Sequence, residues 1–318
     1  MTTEEFCQQY AKDKIIFETW ANYVLEKILS QIPNADKILK ITPTYRIKDL
    51  DSLIAKAFYR NKNYSNPYDD ITDKVGMRFV VLLEDDIKTI SNIVEHETTW
   101  THSKDRDYEK ERNNEPVSFN YQSMHYIVRS TILNYNGIDI PQNIPCEIQI
   151  RTLLQHAYSE LTHDRVYKND FDPTKQVQRI VARSMAFLET TDEYFQKVSA
   201  EMDNLPIFKL YELLKKQFFS AIQDDKKNIS KVNIFILQAY SEIVDDDFVS
   251  KITSNIATFD PYVQSNISSS ILNCQPIIYF IYYMSCKAKA QLIHKWPLSK
   301  EELRPFLTQM GVSMDDRI

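Results

Sequence analysis

Hydrophobic positions along the chain follow two periods, and the change of period marks out the elements. Phe6, Tyr10, Phe17, Trp20, Val24 and Ile28 recur on a helical spacing, Thr2 and Glu5 form a capping box, and Pro33 stops the pattern. This predicts one long helix over residues 3–31. From Asp70 to Leu83 the second half is an unbroken apolar run, the signature of a buried central strand. Residues 85–96 read as a short helix, and Trp100 begins an edge strand. Residues 103–118 are polar and charged and read as a mobile loop. Alternation then takes over. Tyr121, Ser123 and His125 share one face of a strand, Gly137 marks a turn, and residues 145–151 place Ile148 and Ile150 opposite Glu147, Gln149 and Arg151. Residues 152–168 return to a helical period. Further helices are predicted over 177–200, 206–222, 231–243 and 271–296. The stretch Ile277–Met284 is apolar all round and should be the centre of a helical bundle.

Composition narrows the options. With 318 residues the chain can hold two cores, and 43% hydrophobic with 26% charged residues is ordinary for a globular protein. A net charge of −6 argues against binding nucleic acid over the whole surface, though not against a local basic cleft. Cys7, Cys146, Cys274 and Cys286 form no metal-finger spacing and read as reduced thiols, which points to the cytoplasm. The amino terminus has no signal-peptide pattern, and the longest apolar run is too short to span a bilayer, so no membrane association is expected. Only three glycines occur, at 76, 137 and 311. Neither a Walker loop nor a GxGxxG turn can be built from them. Any nucleotide phosphate must be held by Lys and Arg side chains.

Residues 45–56 supply such side chains. Arg46 and Lys48 alternate on an extended segment, Asp49 or Asp51 can cap the helix that follows, and Ser52 and Lys56 lie one turn apart on it. Two or three cations and a hydroxyl then aim at one point, an arrangement suited to a polyphosphate; the competing reading is a solvated amphipathic helix. Asp73 precedes the buried strand and Arg78 lies within it, either as a structural ion pair or as ligand-binding groups. A Tyr121, Ser123, His125 row beside a Glu147, Gln149, Arg151 row would suit the floor of a polar cleft. His156, Glu160 and His163 share a helix face. Without an HExxH arrangement or a further ligand, that face reads as polar packing rather than a metal site.

Together these stretches resemble the RelA/SpoT family of guanosine polyphosphate synthetases over roughly residues 40–170. Arg-x-Lys-x3-Ser-x3-Lys is met by Arg46, Lys48, Ser52 and Lys56, and Asp-x4-Arg by Asp73 and Arg78. Tyr-x-Ser-x-His is met by Tyr121, Ser123 and His125, and Glu-x-Gln-x-Arg-Thr by Glu147, Gln149, Arg151 and Thr152. The resemblance implies an α/β (α+β) fold, a nucleotidyltransferase-like mixed sheet flanked by helices; the residue pattern after it adds an all-helical carboxy-terminal domain unlike the usual regulatory domains of the long family members. The division expected is a helical segment at 1–40, a synthetase domain at 41–180 and a regulatory helical domain at 181–318. It also implies transfer of the β,γ-pyrophosphate of ATP to a 3′-hydroxyl of GDP or GTP. Asp73 and Glu147 would hold Mg²⁺, with Glu147 as base. Arg46 and Arg78 would stack on adenine, and Lys48, Ser52 and Lys56 would hold the triphosphate. Tyr121, His125 and Ser123 would serve the acceptor, with Gln149 and Arg151 supporting Glu147.

The sequence departs from the family at Val117–Asn120, where a Pro-Lys-x-Asn segment and a glycine are usual, so the acceptor-side lysine is absent or displaced into 104–112. Three readings follow. One is a small alarmone synthetase making (p)ppGpp, with no preceding hydrolase domain. Another is a toxic relative that modifies the tRNA 3′ end or makes (p)ppApp, its helical tail answering to an antitoxin or trigger protein. The third is a catalytically dead binding module. Family members often self-associate, so a homo-oligomer is a further expectation.

Overall fold

The computed structural model describes residues 1–60, 64–115, 123–163, 166, 173–223, 228–266 and 272–314. The chain divides into two compact units, Met1–Lys197 and Val198–Ile318. The first opens with α1 (Thr3–Leu29), capped by the Thr2–Glu5 box, and a short α2 (Ala35–Ile38). Strand β1 (Leu39–Ile47) leads to α3 (Leu50–Ile54) and a π-helical turn, Ala55–Tyr59. Asp49, rather than Asp51, caps α3: its Oδ1 accepts from the Ser52 N–H at 2.8 Å. After α4 (Pro67–Asp70) come β2 (Val75–Val81), α5 (Glu84–His96) and β3 (Trp100–Arg106). Then follow α6 (Tyr108–Asn114), β4 (Met124–Ser130) and the β5–β6 hairpin (Leu133–Tyr135, Ile138–Ile140). Strand β7 (Pro145–Thr152), α7 (Leu153–Thr162) and α8 (Lys175–Asn204) follow.

The main sheet runs β1-β2-β7-β4-β3, parallel only between β2 and β7. Its inner positions are buried on both central strands because α1 and α5 cover one face. Trp20, Val24, Ile87, Ile90 and Val94 pack there against Met77, Phe79, Ile148 and Ile150. Pro43 falls in β1, where the register slips, on a strand that pairs on one side alone. The segment read as a loop over 103–118 is ordered through Asn114: β3 pairs with β4 as far as Arg106, and Asp107 caps α6 through the Lys110 N–H. Charges on an edge strand hide its period from sequence reading.

In the second unit, α9 (Pro206–Ile222), α10 (Val232–Gln238), α11 (Asp246–Thr253) and α12 (Asp260–Asn266) surround α13 (Ile277–Lys287). α14 (Lys289–Lys295) and α15 (Arg304–Gln309) complete it. The helix expected over 271–296 is broken at Ala288, and that expected over 231–243 stops at Gln238. Ile277 to Ser285 are all buried, as an all-round apolar helix requires. The tyrosine tips within it find partners: Tyr279 donates to Asp260 at 2.6 Å and Tyr282 to Gln309 at 2.7 Å.

Helix α8 is tied to the first unit by a buried polar group. The Thr152 hydroxyl donates to Asp192 Oδ2 at 2.7 Å, and Asp192 is 2% exposed. Burial pushes the Asp192 carboxyl up to about 6; the Thr152 bond opposes this, Glu84 adds to it and Arg112 opposes it. A folded value above the unfolded one, about 3.9, means the native state binds more protons between the two, so stability falls as pH rises from about 4 to about 6. Asp192→Asn should abolish that fall and stabilise the chain at pH about 7 by ~1–3 kcal/mol. Urea unfolding of both proteins on each side of that window measures it.

Candidate active site

Pairing of β1, β2 and β7 places Arg46, Gly76 and Glu147 in one row and Thr44, Arg78 and Gln149 in the next. β4 adds His125 opposite Gln149. Alternation sends the isoleucines of β7 to the core, so the polar rows line the other face. There they bound a cleft of about 350 Å³ whose lining includes Arg46, Arg78, Glu147, Gln149, His156 and Glu160. Gly76 sits beneath Arg46: a Cβ there would lie 3.6 Å from Arg46 Nε. Its missing side chain leaves the floor between Arg46 and Glu147 open.

Asp73, just before β2, is gripped by two ammonium groups. Lys48 Nζ lies 2.5 Å and Lys56 Nζ 2.8 Å from its Oδ2. Lys48 comes from the end of β1, fixed by its N–H donating to the Lys74 carbonyl at 2.9 Å. Lys56 comes from the π-helical turn, a geometry that recurs at functional sites. Ser52 stands one turn before it and supplies the N–H that Asp49 binds. Burial alone would raise the Asp73 carboxyl, but the two lysines outweigh it and hold it below the usual range. Its Oδ1 is buried with no hydrogen-bond partner.

Glu147 behaves oppositely. Burial and the negative charge of Asp73 raise it, against the Gln149 hydrogen bond and the charges of Arg46 and Lys56. Asp73, Arg46 and Lys56 lie within electrostatic reach of Glu147. Gln149 Nε2 donates to Glu147 Oε2 at 3.0 Å, and His125 Nδ1 is 3.8 Å from Oε1. Two carboxylates pushed apart in this way are what separates an always-ionised group from a base.

The far end of the cleft is organised by Glu160. It accepts from Arg78 Nη1 at 2.9 Å, lies 3.5 Å from His156 Nδ1 and 3.7 Å from the wholly buried Arg151. The helix face of His156 and Glu160 thus answers cleft arginines, and no group of three metal-ligating side chains occurs among the described residues. A pair of carboxylates with one orphaned, buried oxygen does fit a magnesium ion, which takes few protein ligands and prefers oxygen.

Tyr121 lies outside the described residues, as does Val117–Asn120. Ser123 is buried, its hydroxyl 3.5 Å from the Ile150 carbonyl; the cleft wall itself carries Arg46, Arg78, Glu147 and Gln149, while Lys48, Ser52, Lys56, Asp73, Ser123 and His125 stand outside its lining. Sequence reasoning missed Arg106. A register shift between Lys104 and Arg106 sets Arg106 opposite His125. Burial, then the charges of Arg106 and Arg151, depress His125 to about 4, so it is neutral at physiological pH. Glu111 holds Arg106 through two bonds, 3.0 and 2.9 Å. Only the strand pairing reveals this neighbour; the local sequence carries no signal for it.

Residues 45–172 match the family described as the region found in RelA / SpoT proteins. The chain is 23% identical over 160 residues to GTP pyrophosphokinase YwaC of Bacillus subtilis, covering 50% of this chain and 73% of that protein. It is 24% identical over 160 residues to GTP pyrophosphokinase YjbM of the same organism, covering 50% and 72%. Among solved structures, small alarmone synthetase 1 from Bacillus subtilis bound to its product pppGpp superposes with a TM-score of 0.51 at 20% identity, over 61% of this chain and 98% of that one. Small alarmone synthetase 2 gives 0.51 at 21% identity, over 60% and 98%. The mixed sheet is therefore that of the small alarmone synthetases.

Replacing Lys48 or Lys56 with Met should raise the Asp73 carboxyl, and replacing both should lift it above the ordinary aspartate value, because burial is then unopposed. A ¹³C carboxyl titration reads this directly. At neutral pH the double variant should lose ~3–5 kcal/mol, the cost of an unpaired buried charge.

Proposed function

With residues 45–172 belonging to the RelA/SpoT family, we propose that this protein is a pyrophosphotransferase that moves the β,γ-pyrophosphate of ATP to the 3′-hydroxyl of GDP or GTP, making (p)ppGpp. The observation that carries the reading is the pairing of a low-pKa Asp73 with a raised Glu147 beside Arg46, Lys48 and Lys56. Arg46 and Arg78, on neighbouring strands, hold adenine by guanidinium stacking. Lys48 and Lys56 exchange Asp73 for triphosphate oxygens, with Ser52 donating alongside. Glu147 takes the proton of the 3′-hydroxyl, whose oxygen attacks the β-phosphorus as its bond to the α-phosphate oxygen breaks and AMP leaves. Asp73 and Glu147 are the groups that would hold Mg²⁺, which when bound offsets charge on the transferring phosphates. His125 and Arg106 face the acceptor, with Tyr121 as its stacking partner. Gln149 orients Glu147 by its 3.0 Å bond, and Arg151 supports the same strand from its buried position.

One observation bears on the choice of acceptor. The 104–112 cations in ion pairs are Lys104 with Glu95, Arg106 with Glu111, and Arg112 with Glu84 and Glu189. An acceptor side so neutralised suits a terminal ribose of tRNA, or an adenine nucleotide, as well as a guanosine polyphosphate. In that case the helical unit is the place for an antitoxin or trigger protein.

Labelled ATP and Mg²⁺ offered with GDP, GTP, ATP or tRNA in turn decides between these by which acceptor gains label; no labelled acceptor rejects both. Glu147→Gln should cut kcat by ~10²–10⁴-fold while ATP binding, followed by calorimetry, is retained. Transfer surviving that change shows another group to be the base.

A further inference from the structure

A second cavity, of about 660 Å³, shares no lining residue with the cleft. Lys74 lies at its base, 3% exposed, next in sequence to Asp73. Its ammonium donates to the Tyr68 carbonyl and lies 4.7 Å from the Tyr68 ring centre and 5.8 Å from that of Phe17. Among the described residues it makes no ion pair, although an ammonium has three donors. Arg129, half-buried on β4, also lines the cavity and has no carboxylate partner among the described residues. The cavity's acids are already engaged by neutral donors. Asp13 accepts from Tyr68 Oη at 2.7 Å and Gln9 Nε2 at 2.9 Å, and Asp69 from Asn66 Nδ2 at 2.5 Å. Among the described residues neither cation has a carboxylate within ion-pair distance; burial pushes the Lys74 ammonium down to about 8, outweighing Asp69, Asp13 and Asp73, which act on its charge only from further away. Much of the remaining wall is apolar, with Ile16, Phe17, Ile144 and Pro145.

We propose that this cavity binds a small organic anion, a carboxylate or a phosphate monoester, with its charged head on Lys74 and Arg129 and its apolar body against Phe17 and Ile144. The site is separate from the nucleotide cleft and independent of the acceptor the cleft uses.

The test uses the full chain with isotopically labelled isoleucine methyls, titrated separately with butyrate, butyl phosphate and butanol. Ile16 and Ile144 report the cavity, and Ile41 the cleft. A saturable shift of Ile16 and Ile144 with butyrate, butyl phosphate or both, with Ile41 unmoved and butanol inert, is the expected result; the responding head group identifies the anion class. Arg129→Gln, at a half-buried position, and Lys74→Met, which keeps the aliphatic stem, should each weaken binding ~10-fold or more, a loss of about 1.4 kcal/mol. No shift with either anion, equal shifts with butanol, or affinities unchanged in Arg129→Gln overturns the proposal. Should Lys74→Met fail to fold, Arg129→Gln alone decides.

Discussion

Everything at the cleft depends on one buried carboxylate shared by two ammonium groups. Asp73 is drawn out of water at the start of β2, a cost that Lys48 and Lys56 offset from two other elements. This fixes where β1 ends and where the π-helical turn sits relative to the sheet. It also sets the charge beside Glu147. The neighbouring glutamate cannot ionise as readily while Asp73 remains charged, so one ion-pair cluster defines both the permanent anion and the titratable one.

A fold with three glycines has no backbone cradle for phosphate. Under the proposed function, long side chains on strand ends and one helical turn would take that role, and they need counter-charges in the absence of a nucleotide. Asp73 and Glu160 supply them, Asp73 to the lysines and Glu160 to Arg78. Substrate would then compete with intramolecular carboxylates rather than with water, which makes binding sensitive to ionic strength only in the exposed part of the site.

Much of this was legible in the chain. Period-two alternation put Glu147, Gln149 and Arg151 on one face and the isoleucines on the other, and the pairing preserves it. The strand carrying Arg78 and the capped helix after Lys48 were equally plain, because burial and capping are local signals. Arg106 was hidden, since its position depends on an irregularity in an edge strand whose charged residues resemble a loop. The Asp192–Thr152 bond was hidden for another reason: it joins residues forty positions apart, and no local pattern marks a lone buried carboxylate. In the helical unit the apolar centre at Ile277–Met284 was evident, while the break at Ala288 was not, as neither proline nor glycine stands there.

The parallel pairing of β2 with β7 also bears on how the protein is made. These strands are the only parallel neighbours in the sheet, and β7 is the last of its five to leave the ribosome. Until it emerges, Asp73 and its lysines exist without Glu147, and β2 has an unpaired edge. Such non-local pairing is slow to form and invites wrong partners meanwhile. A growing chain therefore lacks the Asp73–Glu147 juxtaposition until β7 has emerged and paired with β2.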